Sequence, residues 1–241
     1  MPATTEATLT TAYRADVTVL RARQLRSLLD VWPLLDVTAL DRTFPGWLSA
    51  VLGVVATSRK AQARVAVSYY AALASLAGAT PFDVATADSL EGAARKALVA
   101  SLHATAVAQT KVSMRQVSSL EVARRLALTR SSGVATRWAL AAGRDTIIGA
   151  ATTDPASIGW GRVAAPTACA FCRMLVGRGT VYRETTVRFL SHDHCQCTAR
   201  PEFGDATGQM ASTFTRSQRF RTDAARAANN ARLRDYLAAT P

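Results

Sequence analysis

Apolar residues recur at helical spacing through most of the first 150 residues. Tyr13, Val17 and Leu20 begin a stripe that Leu25, Leu28, Leu29 and Trp32 continue at i, i+3, i+4 and i+7. Pro33, which lacks an amide N–H, stops that helix. Thr43-Phe44-Pro45 predicts a restart, because proline is accommodated in a first helical turn. Trp47, Val51, Val54 and Val55, then Val65, Tyr69, Leu73 and Leu76, carry the second stripe until Gly78 and Pro81 close it. A third helix is expected through Leu90, Ala94, Leu98 and Leu102, with Asp88 and Glu91 as caps. Ser118 and Glu121 have the spacing of a capping box. They predict a long helix through Leu126, with Val134, Trp138 and Ala141 farther along and Gly133 and Gly143 as points of bending or breakage. The aromatics of this region read as helix-packing core, and the lone His103 as structural.

The pattern changes near Asp154-Pro155. Helical periodicity fades while glycine, cysteine and β-branched residues become denser. Short strands are expected at Gly159–Val163, at Thr180–Arg183, and at Cys197–Arg200 ahead of Pro201. Gly204 to Gly208 reads as a linker. A last helix from about Arg216 to Leu237 carries six arginines against two aspartates, with an apolar line of Phe220, Ala224, Ala227 and Ala231. It is a basic amphipathic helix, suited either to packing on the body or to docking an acidic partner. The fold class predicted is therefore mainly α with a small α+β C-terminal module. Its expected divisions are a helical domain over 1–150, a cysteine-bearing module over 151–204, and a linker with the basic helix over 205–241.

Composition fits a folded chain rather than wholesale disorder: 49% of residues are hydrophobic and 19% charged. The net charge of +12 comes from 26 arginines and only Lys60, Lys96 and Lys111 on the basic side. Both parts share the excess, +7 over residues 1–150 and +5 over 151–241, so no single basic arm stands out. Such a charge favours polyanions or acidic partners and is silent about fold. Residues 1–16 lack the basic start and apolar run of a secretory signal. The longest uncharged apolar stretch, between Arg42 and Arg59, falls short of the ~20 residues of a membrane span. A soluble protein made in a cytoplasm, with no membrane contact and no small-molecule substrate, is expected.

All four cysteines and two of the three histidines fall within 29 residues. Cys169-Ala-Phe-Cys172 is followed after 19 residues by His192-Asp-His194-Cys195-Gln-Cys197. A C-x2-C knuckle sets two thiolates on one side of a tight turn. A second cluster some twenty residues later can close a tetrahedral site, the usual arrangement of structural zinc. Cys169 and Cys172 are the firmest ligands. For the second half the order of preference is Cys195, His192, Cys197 and then His194. If that segment were a strand, Cys195 and Cys197 would point to opposite faces. Disulfides among the same thiols suit secretion, for which nothing speaks. A redox C-x2-C would leave the second cluster unexplained, and a cysteine nucleophile lacks an orienting third group. A closed four-ligand site staples a fold and leaves no open position for catalysis.

These residues also carry a resemblance. Gly143-Arg144-Asp145, Gly159-Trp160-Gly161-Arg162-Val163, Cys169-Ala-Phe-Cys172, Met174-Leu175, Arg178-Gly179, Tyr182, His192 through Cys197 and Pro201 occur in one order. That run, over roughly 143–203, resembles the Mu F-like minor head proteins of tailed phages of actinobacteria. In that family's pattern a histidine precedes a C-x-C and a proline, here His192, Cys195, Cys197 and Pro201; His194 is a departure. The resemblance implies a virion component in few copies, inside the head near the portal, made in the host cytoplasm. It also implies a role in head assembly, with the portal or major capsid protein as partners and possible contact with packaged DNA.

Two other functions compete. A capsid-maturation protease would need a serine, histidine and acid in context, but only His103 stands outside the cysteine cluster, and no H-E-x-x-H occurs. No enzymatic activity is expected. A zinc-ribbon DNA binder is permitted by Arg162, Arg173, Arg178, Arg183 and Arg188 around the cluster. Its aromatic platforms would have to be Phe171, Tyr182 and Phe189.

Overall fold

A computed structural model describes residues 5–116, 119–164, 168–177, 189 and 191–204, with isolated positions 224, 227, 228 and 231 in the C-terminal segment. Three long helices form its frame: α1 (Glu6–Val31), α2 (Leu40–Leu76) and α5 (Leu120–Thr153). At 1.5 Å per residue, α2 and α5 each run for about 50 Å. Tyr13 of early α1 stacks on Tyr69 of late α2, with ring centroids 4.3 Å apart. At the other end Trp32, in the 3-10 turn Trp32–Leu34 that follows α1, meets Trp47 edge-on. The two helices are thus antiparallel. Arg59 reaches Trp138, and Tyr70 reaches Asp154, so α2 and α5 run parallel.

Their closeness follows from small side chains. Ala63 and Ala66 of α2 and Ala135, Ala139 and Ala142 of α5 are fully buried. A Cβ added at Gly143 would stand 3.1 Å from both the Gln62 carbonyl oxygen and the Tyr13 hydroxyl. The alanine-rich composition therefore sets helix spacing as well as helix propensity. One core cluster joins Leu28, Trp32, Trp47, Val51 and Val55 to Leu98, Leu102, Val107 and Val134. A second joins Tyr13, Val17, Tyr69, Tyr70, Leu73, Leu140 and Ile147 to Trp160 and Ala199.

The first cluster is closed by α3 (Gly92–His103), a π-helical turn over Ala104–Ala108, and α4 (Gln109–Gln116). The second is closed by an antiparallel pair, β1 (Ser157–Val163) and β2 (Thr198–Phe203). Ser157 and Gly159 pair with the adjacent residues Phe203 and Glu202, which makes a bulge; Gly159 takes φ +134°, a conformation open to glycine alone. Pro201 sits opposite Trp160, tolerated because a two-stranded sheet is all edge. Asp154 ends α5 and fixes the turn into β1, accepting from the Tyr70 hydroxyl at 2.9 Å and the Ala156 amide at 2.9 Å.

The mainly-α fold with a small α+β module is as the sequence predicts, and several details differ. Helix α2 begins at Leu40, so Pro45 lies inside the helix beyond its first turn. Neither Asp88 nor Glu91 caps α3 through its side chain; Asp88 accepts from Thr86, and Leu90 lies ahead of the helix. The N-cap of α5 is Ser119, without a side-chain capping bond, and Ser118 is outside the described residues. Helix α5 runs unbroken through Gly133 and Gly143, because both glycines serve close approach rather than breakage. The second strand extends through Pro201 to Phe203 and starts after Cys197. The strand expected at 180–183 lies outside the described residues. So does most of the last helix, where Ala224, Ala227, Ala228 and Ala231 are helical. Among the described residues no helix is long and apolar enough to cross a membrane.

The segment between α2 and α3 has no helix or strand, yet it is pinned. Helix α2 ends in a Schellman motif, with Ala79 N–H on the Ala74 carbonyl and Gly78 at φ +69°. Farther on, the buried Arg59 guanidinium donates to the carbonyls of Ala87, Asp88 and Ser89 and to Trp138. Replacing Arg59 by methionine strands these acceptors at once. Stability to urea should fall by on the order of 3 kcal/mol, with faster amide exchange over residues 84–91. An unchanged midpoint would refute this role.

Candidate metal centre

The first knuckle opens a short helix, α6 (Ala170–Val176), with Cys169 as N-cap and Cys172 in its first turn. The Arg173 amide donates to the Cys169 carbonyl at 3.0 Å, curling the chain so that both thiols face one side. The second knuckle is a turn closed by the Cys195 amide on the His192 carbonyl at 3.2 Å. His194 occupies the left-handed region at φ +65°. The bend lies ahead of β2, so the strand geometry that would have separated Cys195 from Cys197 does not arise.

The two knuckles meet. Cys169, Cys172 and His192 form one group, and Cys172, Cys195 and Cys197 another; within each the ligand atoms lie within 4.8 Å of one another. Cys172 belongs to both. Its sulfur stands 3.7 Å from that of Cys195, close to the about 3.8 Å that two thiolates keep on one tetrahedral zinc with bonds of about 2.3 Å. Cys169 Sγ lies 3.1 Å from His192 Nε2. His192 Nδ1 is 2.7 Å from the Asp193 carbonyl oxygen, which can only accept, so Nδ1 carries the proton and Nε2 is left for a metal. All five residues preferred from the sequence are therefore brought together, and the cluster could hold a metal ion. His194 is not among them: its ring lies against α5, and a Cβ at Gly133 would stand 2.6 Å from its Nε2.

Charge is unevenly spread over the thiols. Bonding from the Cys197 side chain, with the Arg144 guanidinium nearby, outweighs burial and lowers the Cys195 thiol to about 4. Burial raises Cys172 to about 11. For Cys169 burial pushes upward, but the Cys172 amide and His192 prevail and the net shift is down. The Asp193 carbonyl and the Cys169 thiol raise His192. A metal must displace the Cys172 proton to bind there, so uptake weakens as pH falls. The C-x2-C does open a helix, as a redox pair would. Each of its thiols, however, also contacts the second knuckle, Cys169 through His192 and Cys172 through Cys195.

What places that knuckle is one face of α5, with Gly133, Arg137 and Arg144 at i, i+4 and i+11. Gly133 leaves room for His194, and Arg137 pairs with Asp193 at 2.7 Å. Arg144 donates from Nε to the Cys197 carbonyl at 2.9 Å, from Nη2 to the Cys195 carbonyl at 2.8 Å and from Nη1 to Ser191 Oγ at 3.0 Å. Sequence reading assigned Arg144 no role of its own. Its signal was the spacing of two arginines and a glycine along one helical stripe. Phe189 is no exposed platform for bases: it stacks on Trp160 and lies beneath the guanidinium groups of Arg162 and Arg144. Phe171 is exposed, and Tyr182 lies outside the described residues. His103 stands edge-on to Phe44.

Gly133→Val would drive a side chain into the His194 ring and Asp193 Cβ and cost about 1–3 kcal/mol. Gly149→Ala on the same helix, where nothing lies within 4 Å, should gain about 0.5–1 kcal/mol. Denaturant titration of both variants checks the pair; equal effects would contradict the docking.

Residues 4–229 match the model of a family described as VG15 protein, a family of phage proteins. No curated protein and no solved structure matches the chain.

Proposed function

The chain belongs to the VG15 protein family, and we propose that it is a minor head protein of a tailed phage, held inside the capsid near the portal. The observation that carries this reading is the cysteine–histidine centre docked on α5, built from the stretch that resembles the Mu F-like head proteins. In this reading zinc takes four of Cys169, Cys172, His192, Cys195 and Cys197 and acts as a structural staple. Four protein ligands leave no position for substrate, in keeping with an assembly role and no catalysis. The partners are the portal or the major capsid protein.

The net charge of +12 supports non-specific contact with packaged DNA as an accompaniment. A zinc-ribbon DNA binder remains the second reading. The packing of half-buried Phe189 between Trp160 and the guanidinium groups of Arg144 and Arg162 takes up one of the three aromatic platforms it would use.

The test is location in the particle. In purified virions the chain should be present in few copies relative to the major capsid protein. It should resist added protease until the heads are opened. Its absence from purified particles, or digestion in intact ones, would overturn the proposal.

A further inference from the structure

Arg144 is 3% exposed, which places a permanent cation inside the protein. Burying a charge is costly unless an opposite charge or strong hydrogen bonding offsets it. Its three bonds go to two carbonyls and a serine hydroxyl, all neutral acceptors. The ion pairs of Lys111 with Asp41, of Arg137 with Asp193, and of Arg200 with Glu6 and Glu202 leave Arg144 aside. Hydrogen bonds satisfy the guanidinium geometrically, and among the described residues no carboxylate pairs with it.

The two carbonyls it holds belong to Cys195 and Cys197, so the cation is one peptide unit from the buried thiols. Only one of the five candidate ligands is a histidine. Any four of them therefore include at least three thiolates, and a divalent ion bound by them leaves the centre anionic.

We propose that Arg144 is the built-in counter-ion of an anionic metal–thiolate centre, and the positioning residue that presents Cys195 and Cys197 to the metal. This rests on the metal reading above and deepens it. The helical frame and the centre need one another in charge as well as in shape. The buried arginine stands beside the negative charge of three or more metal-bound thiolates, through the carbonyls of two of the residues that carry them. The centre in turn gains a fixed cation that no change of pH removes.

The experiment uses the full chain, reduced, with cobalt(II) and zinc(II) as probes, comparing wild type with Arg144→Met and Arg144→Lys. Wild type should bind cobalt with a charge-transfer intensity of three or four thiolates, calibrated against the single Cys→Ser variants. In Arg144→Met, zinc affinity measured by competition with a chromophoric chelator should drop about 10–100-fold. Arg144→Lys, which keeps the charge and loses the fork, should lie closer to wild type than to the methionine variant. Equal losses in the two variants would make the effect one of hydrogen bonding alone and overturn the counter-ion role, as would an unchanged affinity in Arg144→Met. A wild-type spectrum with fewer than three thiolates overturns it without any mutant, so a variant that fails to fold leaves the test intact. Wild type that binds neither probe defeats the metal reading itself, a different and separable outcome.

Discussion

The contact on which the site depends is the grip of one α5 face on the backbone of residues 191–197. A hairpin-like loop with two cysteines, two histidines and no regular structure has little to define it locally. Arg144 defines it from outside, through the carbonyls of Cys195 and Cys197, while the Arg137–Asp193 pair and the Gly133 gap fix its other end. With that loop set, the second knuckle faces the first across a few ångströms of sulfur. The helical frame thus acts as the scaffold of the cluster, and the cluster is held in part before any ion arrives.

The frame can do this because it is tightly spaced. Alanines along α2 and α5, with Gly143 at their closest approach, let two helices of about 50 Å run side by side. Their common face buries the aromatic layers Tyr13–Tyr69 and Trp32–Trp47 at opposite ends. The sheet adds Trp160 and Ala199 to the layer nearer the cysteines, so the strands flanking the knuckles share a core with the helices. Buried arginines recur as anchors of irregular chain: Arg59 ties the segment between α2 and α3, and Arg144 ties the cysteine loop. In both cases the guanidinium supplies several donors to backbone carbonyls of irregular chain that no strand or helix amide serves.

Much of this was legible in the residues. Helical periodicity located α1, α2, α3 and α5, and the ligand spacing located the cluster, because both are local repeats of chemistry. What was not legible depended on tertiary partners. Gly133 and Gly143 look like helix breakers in one dimension and are contact points in three. Whether a strand or a bend carries Cys195 and Cys197 stayed open in the sequence because nothing there announces the turn at His194. The cap expected from Asp88 failed since capping depends on where the chain turns, and buried Arg59 bonds decide that between α2 and α3. His194 could be separated from His192 only by geometry, one ring lying on α5 and the other facing Cys169.

The central claim is that both knuckles close on a single ion. X-ray absorption at the zinc edge, on reduced full-length protein with its metal content measured, tests it most directly. One zinc per chain with a first shell of at least three sulfurs at about 2.3 Å is the expected result. A metal-free protein, or a zinc whose neighbours are mainly oxygen and nitrogen, would contradict it.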